Sequence, residues 1–210
     1  TRDGADVNRT FAIDGRLGLG QRWTSDLWAS RTTTPGLDGD ANAYSGRIAY
    51  QTNVWNHNAR ITQVGGDFNP EVGFMSRPGG YRAYDVSLMR LVRAPQWNWF
   101  RQWNPHVSYR SFYSLADGFQ QTGYVHFDLT EIELANSTKF GPEYNVSREG
   151  LQQPFEISPG VVIPAGTYDW GTLGFDYVTD PSENLSVTGR FDVGQFWTGR
   201  RSGGNGTLTV

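Results

Sequence analysis

Leu185-Ser186-Val187-Thr188-Gly189-Arg190-Phe191-Asp192-Val193 puts Leu185, Val187, Phe191 and Val193 on one parity and Ser186, Thr188, Arg190 and Asp192 on the other. Successive side chains of an extended chain point to opposite faces, so this stretch reads as a strand with one apolar and one polar face. The same rhythm runs back through the chain. Leu173, Phe175 and Tyr177 oppose Thr172, Gly174 and Asp176, and Val125, Phe127 and Leu129 oppose His126, Asp128 and Thr130. Trp55, Ala59 and Ile61 alternate with Asn56, Asn58, Arg60 and Thr62; Tyr44, Gly46, Ile48 and Tyr50 alternate with Ser45, Arg47 and Gln51. Near the start, Phe11, Ile13, Leu17 and Leu19 alternate with Ala12, Asp14, Arg16 and Gly18. Strands are expected at 7–19, 22–31, 43–52, 55–64, 81–92, 106–115, 122–135, 138–148, 168–178 and 184–197, with an eleventh beginning near 205. No apolar stripe of helical period competes.

Composition agrees. Of 210 residues, 26 are Gly and 10 Pro, which disfavours long helices, while aromatics make up 14% and charged residues 19%. Disordered chains show the reverse balance. A net charge of −3 gives no reason to expect a nucleic-acid partner. Lys139 is the one lysine; every other basic residue is Arg, which suits planar contacts to carboxylates and aromatic faces. With no Cys, disulfides, thiol catalysis and cysteine metal sites are excluded. No apolar run approaches the roughly 20 residues of a membrane helix. The N-terminal Thr1-Arg-Asp-Gly lacks the pattern of a signal peptide, and the chain stops within a strand at Thr207-Leu-Thr-Val210, so residues 1–210 are expected to be a single domain, the central fragment of a larger barrel.

The expected strands are long, and their connections alternate. Short ones fall at Gly20-Gln21, Asn53-Val54, Asn136-Ser137 and 180–183; longer ones fall at 32–42, 65–80, 116–121, 149–167 and 198–204, with 93–105 the exception on the short side. Alternating strands of about ten residues, with turns on one side and loops on the other, are the signature of an outer-membrane β-barrel. A soluble β-sandwich also alternates, but its strands enter a dry core. The polar parity here holds Arg16, Arg47, Arg60, Arg110, Arg190, Asp14, Asp128, Asp176 and Asp192, a set able to pair across strands in a wet lumen. Trp23, Trp28, Tyr44, Tyr84 and Tyr168 stand near strand ends and suit interfacial belts.

Glu131-Ile-Glu133 places two carboxylates on one face, as retaining glycosidases require, yet the acid that usually follows is missing; polar lining competes with catalysis. Asp38-Gly-Asp40-Ala-Asn42 resembles the start of a calcium loop, but the twelfth position is Ala49 rather than Glu, and a turn is the alternative purpose. His57, His106 and His126 stand in separate strands without metal-binding spacing, and no metal or cofactor is expected. Gly203-Gly-Asn-Gly206 reads as a surface loop. Trp97-Asn-Trp99-Phe100-Arg101-Gln-Trp103, taken as a short helix, puts Trp99 and Trp103 on one face beside Phe100. Trp97, Trp99, Phe100 and Trp103 are interfacial aromatics on that reading, with a core plug and a sugar platform as alternatives. The five N-x-S/T sequons carry little weight.

Pro35-Gly-Leu-Asp-Gly-Asp40 with Ala43-Tyr44, Gly66-Asp-Phe-Asn-Pro-Glu-Val-Gly-Phe74 with Arg77, Pro154-Phe-Glu-Ile157, Val161-Val-Ile-Pro-Ala-Gly166 with Tyr168, and Gly194-Gln-Phe-Trp-Thr-Gly-Arg200 occur in order along nearly the whole chain. Together they resemble the DUF5916 family. The resemblance implies an envelope protein of Gram-negative bacteria whose N-terminal module, similar to family 9 carbohydrate-binding modules, precedes an outer-membrane barrel. It supplies no catalytic residues. Because the motifs sit mostly in the long loops, the resemblance suggests packing or plugging at one barrel mouth, or a binding site there, for which Asp38, Asp40, Asn69, Glu71 and Arg77 are the candidate ligand-binding residues.

The resulting expectation is an all-β, antiparallel up-and-down meander, a barrel segment in the bacterial outer membrane. Lipid is its partner, and polysaccharide or oligosaccharide its candidate ligand. The alternatives are a soluble β-sandwich that binds or cleaves carbohydrate and a structural anchor for an exported carbohydrate-binding domain. An enzyme is the less favoured class.

Overall fold

The computed structural model describes residues 7–71, 75, 77 and 79–210. Residues 1–6, and residues 72–74 of the Gly66–Phe74 motif, lie outside them. Fifteen strands follow in chain order: β1 (Arg9–Leu19), β2 (Trp23–Thr33), β3 (Asn42–Gln51), β4 (Trp55–Val64), β5 (Tyr81–Arg90), β6 (Phe100–Trp103), β7 (His106–Ser114), β8 (Gln120–Asp128), β9 (Ile132–Leu134), β10 (Lys139–Leu151), β11 (Phe155–Ser158), β12 (Val161–Ile163), β13 (Gly166–Val178), β14 (Ser186–Phe196) and β15 (Gly199–Thr209). There is no helix among the described residues.

Eleven strands pair in sequence order, β1-β2-β3-β4-β5-β7-β8-β10-β13-β14-β15, as one antiparallel meander. These correspond one to one with the eleven expected strands. At roughly 3.3 Å per residue, a strand of ten or eleven residues runs about 35 Å, enough at a 45° tilt to cross an apolar band about 25 Å tall. The register slides as tilt requires. A row that starts at Asp14 in mid-β1 passes Trp28, Ser45, Thr62, Ala83, Phe112, Thr122 and Glu149, and reaches Tyr168 two residues into β13. Within the described residues β1 and β15 each have one neighbour, so the sheet is open.

A sandwich needs a second sheet over the apolar face, and none is present among the described residues: β11 and β12 form only a small separate hairpin. Ala43, Val64 and Ile163 are the only buried hydrophobic residues among those described. The apolar parity instead faces outward. Phe11, Ile13, Leu17, Leu27, Ile48, Ile61, Leu88, Phe127, Leu173, Phe191 and Leu208 are all exposed, Ile13 at 74%.

Four details depart from expectation. Residues 198–204 are not a loop: β15 begins at Gly199, after a two-residue turn, and Gly203–Gly206 lies within it, held by pairing with Asp192, Phe191, Arg190 and Gly189. The expected strand 122–135 is broken at 129–131, where the chain leaves β8 and restarts as β9 against β10 and β6. Trp97–Trp103 is a turn followed by β6, not a helix. The 149–167 connection carries the β11–β12 hairpin. Pro142 sits where β10 passes from β9 to β8 and pairs with neither, a gap that tolerates its missing N–H.

Candidate functional site

The polar face of the meander carries two hydrogen-bonded networks. The first is a charged ladder in one register row, Arg16–Asp26–Arg47–Arg60–Asp85–Arg110–Tyr124. Asp26 accepts from Arg16 at 2.5 Å and from Arg47 at 2.9 Å, and Asp85 accepts from Arg110 at 2.9 Å. Arg60 stands exposed between Arg47 and Asp85. Parity alone places these residues together, because positions directly opposite one another share a face.

The second network crosses β7, β8, β10, β13 and β14. Arg190 donates to Asp176 at 2.8 Å and to Glu143, whose side chain is buried. Asn145 donates through Nδ2 to Glu143 at 2.9 Å. Its Oδ1 accepts from the Tyr124 hydroxyl and lies 2.7 Å from His126 Nδ1. His126 Nε2 lies 3.1 Å from His106 Nε2, and His106 Nδ1 lies 3.0 Å from the Asn104 carbonyl oxygen. Asp128, 7% exposed, completes a group in which one ligand atom from each of His106, His126 and Asp128 lies within 4.8 Å of the others. Sequence spacing hides this cluster. His106 and Asp128 are exact register partners because both lie eleven residues from position 117, the centre of the β7–β8 hairpin, and His126 shares their face.

The loop candidates are fastened to the sheet and to each other. Asp40 accepts through its carbonyl from Asp67 N–H and through its carboxylate from Asn42, and Asp67 accepts from Gly39 N–H. Asn69 donates its N–H to the buried Thr32 hydroxyl, and its carbonyl accepts from Asn8. The Asn69 side-chain oxygen takes the Glu71 N–H. Arg77 donates to Gln121 and Thr122 and lies 4.2 Å over the Phe112 ring. Asn69 thus bonds to β2 and Arg77 to β8, both at one margin. Asp38 is exposed on the neighbouring loop. Asp40, Asn69 and Arg77 spend their polar atoms on holding this loop layer together.

At the opposite margin, Trp97 and Trp99 stack at 5.7 Å, Phe100 meets both edge-on, and Trp103 Nε1 donates to the Leu129 carbonyl at 2.7 Å. Trp23 and Tyr50 pack at 4.7 Å on the apolar face near the same margin. Trp28 and Tyr168, expected in belts, share parity with Asp26 and Asp176 and so lie on the polar face. There Tyr168, Trp170, Phe196 and Trp197 form an aromatic cluster at the loop margin, with Trp170 and Trp197 at 5.3 Å. Trp197 has φ +53° in the two-residue turn, a conformation that bulky residues rarely adopt and that its ring contacts hold in place. Glu133 is held by Arg101 and Gln102, each at 2.9 Å, and Glu131 by Asn104 at 2.8 Å.

The distribution of charge on the apolar face is its most telling property. Arg9, Arg31, Arg82, Arg90, Arg148, Asp169 and Arg200 share the apolar parity, and each stands within three residues of a strand end. The middle of that face carries no ionisable acid or base other than His57 and tyrosine. Comparison of the chain with protein-family models, with curated proteins and with solved structures finds no match in any of the three.

Proposed function

We propose that this chain is a membrane-spanning segment of an outer-membrane β-barrel whose polar face lines a passage or binding surface for saccharide-like ligands. One observation carries the membrane part: a single sheet presents a continuous exposed apolar face whose charges are confined to both margins. In water such a face would far exceed the few hundred Å² that a monomer tolerates, whereas hydrocarbon satisfies it without a second layer. The paired Arg–Asp ladder on the reverse side is the chemistry of a wetted lumen.

The ligand part rests on aromatic rings set among hydrogen-bonding groups on that same polar face. Trp28 and Tyr124 stand beside the ladder, and Trp170 and Trp197 stand at the loop margin. Flat apolar rings flanked by charged and amide groups match the alternating C–H and O–H surfaces of sugars. The DUF5916 resemblance points the same way. Glu131 and Glu133 have no part in this reading, because each is committed to a structural partner.

A second reading, an anchor with no passage, is favoured by Arg77, which reaches Gln121 and Thr122 at β8 from the connection between β4 and β5. The test is reconstitution into liposomes, followed by protease protection and oligosaccharide-driven swelling. Protection of the strands with swelling supports the proposal, and protection without swelling replaces it by the anchor. A monomer that stays in the aqueous phase refutes both.

A further inference from the structure

The His106–His126–Asp128 cluster contains more information than its proximity, because its neighbours fix where the protons are. Glu143 is paired with Arg190, so it accepts; the amide nitrogen of Asn145 must therefore face Glu143, and the amide oxygen must face His126. That oxygen can only accept, so His126 carries its proton on Nδ1. The Asn104 carbonyl, 3.0 Å from His106 Nδ1, likewise can only accept, so His106 also carries its proton on Nδ1. A neutral imidazole protonated at Nδ1 has a bare lone pair on Nε2. The two Nε2 atoms nevertheless face each other at 3.1 Å. Two lone pairs at that distance need a positive charge between or beside them, either a proton on one Nε2, which leaves an imidazolium, or a metal ion held by both.

Asp128 states the same deficit from the other side. It is buried, and among the described residues no Arg or Lys pairs with it; its carboxylate accepts from the Thr130 N–H at 3.3 Å and from the Glu131 N–H, and His106 is the one basic side chain beside it. A buried carboxylate without a counter-charge is costly. Two bare imidazole nitrogens and an unpaired carboxylate on one face form a donor set that is one cation short.

We propose that His106, His126 and Asp128 bind a divalent transition-metal ion of the zinc type. Zinc holds imidazole nitrogens at about 2.0–2.1 Å in tetrahedral array, which sets two such nitrogens about 3.3 Å apart. The observed 3.1 Å is close to that, and an Asp128 oxygen lies within 4.8 Å of a ring nitrogen of each histidine. Imidazole nitrogen selects zinc and its first-row neighbours over calcium or magnesium, which take oxygen ligands. The Nδ1–H contacts to Asn104 and Asn145 are the outer-shell bonds that usually orient metal-binding histidines. Three protein ligands leave the fourth position open toward the polar face for water or a ligand group. The site depends on strand register, not on what meets the apolar face, so it stands or falls separately from the membrane reading.

The test uses the protein in detergent micelles, with Zn²⁺ in competition against a chromophoric chelator and Co²⁺ as a spectroscopic probe. One ion per chain is expected, with visible absorption characteristic of four-coordinate cobalt. His106→Ala or His126→Ala should weaken binding by about a hundredfold or more, and Asp128→Asn by about tenfold or more. His57→Ala, at the third histidine on β4, should leave binding unchanged and serves with the circular dichroism β-signal as the folding control. Failure of the folded protein to bind Zn²⁺ at micromolar concentration overturns the proposal, as does binding that persists in both histidine variants. Nitrogen NMR showing one proton shared between the two Nε2 atoms in the presence of Zn²⁺ also overturns it.

Discussion

Leu27→Arg measures what meets the apolar face. Leu27 is half exposed, and its side chain rests over Gly46 on the neighbouring strand, 3.3 Å from where a Cβ would stand. It lies four residues from the start of β2 and six from its end. At about 3.3 Å per residue and a 45° tilt, those separations are about 9 and 14 Å of depth, close to the middle of an apolar band about 25 Å tall. An arginine near the midplane of a barrel's lipid face costs about 2–4 kcal/mol. In a water-facing sheet the same change at a half-exposed position stays within about 0.5 kcal/mol. Arg60→Gln, in the charged ladder on the opposite face, is the control: Arg60 is exposed, and its loss should fall within about 0.5 kcal/mol. The assay is reversible urea unfolding in liposomes, followed by tryptophan emission. A cost for Leu27→Arg below about 0.5 kcal/mol, equal to that of Arg60→Gln, refutes the assignment of faces.

Arg190→Met leaves the buried Glu143 without its cation and should cost about 3 kcal/mol in the same unfolding assay, with part of the loss recovered in the double variant Glu143→Gln/Arg190→Met. Gly65→Ala drives a Cβ to within 2.1 Å of the Asp40 carbonyl oxygen, so limited proteolysis should nick residues 34–41 faster while β3 and β4 stay protected. The Asp117 carboxyl is held below the usual aspartate range, first by the Phe119 N–H and then by Ser114. Its contribution to the β7–β8 loop is therefore present above the unfolded-state value and lost as pH falls through the lowered folded one. Carbon NMR should show Asp117 titrating below the usual aspartate range, and Asp117→Asn should abolish that acid-dependent loosening.

The meander was legible because parity survives local irregularity. The residues read as polar-facing, from Asp14 to Asp192, all lie on one face, and the pairing of Asp26 with Arg47 follows from that parity. What failed were stretches whose state is set by a neighbour. Arg200–Gly206 has no apolar alternation and becomes a strand because β14 supplies the complementary edge. The Trp97–Trp103 segment shows helical aromatic spacing, yet β9 draws its end into a strand. The His106–His126–Asp128 cluster needed the hairpin register, and the bulge beside Phe112 makes that register hard to count inward from the loop. The loop candidates were chosen by motif; the structure joins Asp40 to Asp67, Asn69 to Thr32 on β2 and Arg77 to β8, contacts between distant segments that spacing along the chain does not show.

The most direct measurement is a nitroxide scan of β14 in lipid, one label at a time from Val187 to Val193, comparing relaxation by oxygen with relaxation by an aqueous nickel chelate. Positions 187, 189, 191 and 193 should favour oxygen, and 188, 190 and 192 the chelate, in strict alternation. Equal, high access to the chelate at every position would contradict the account.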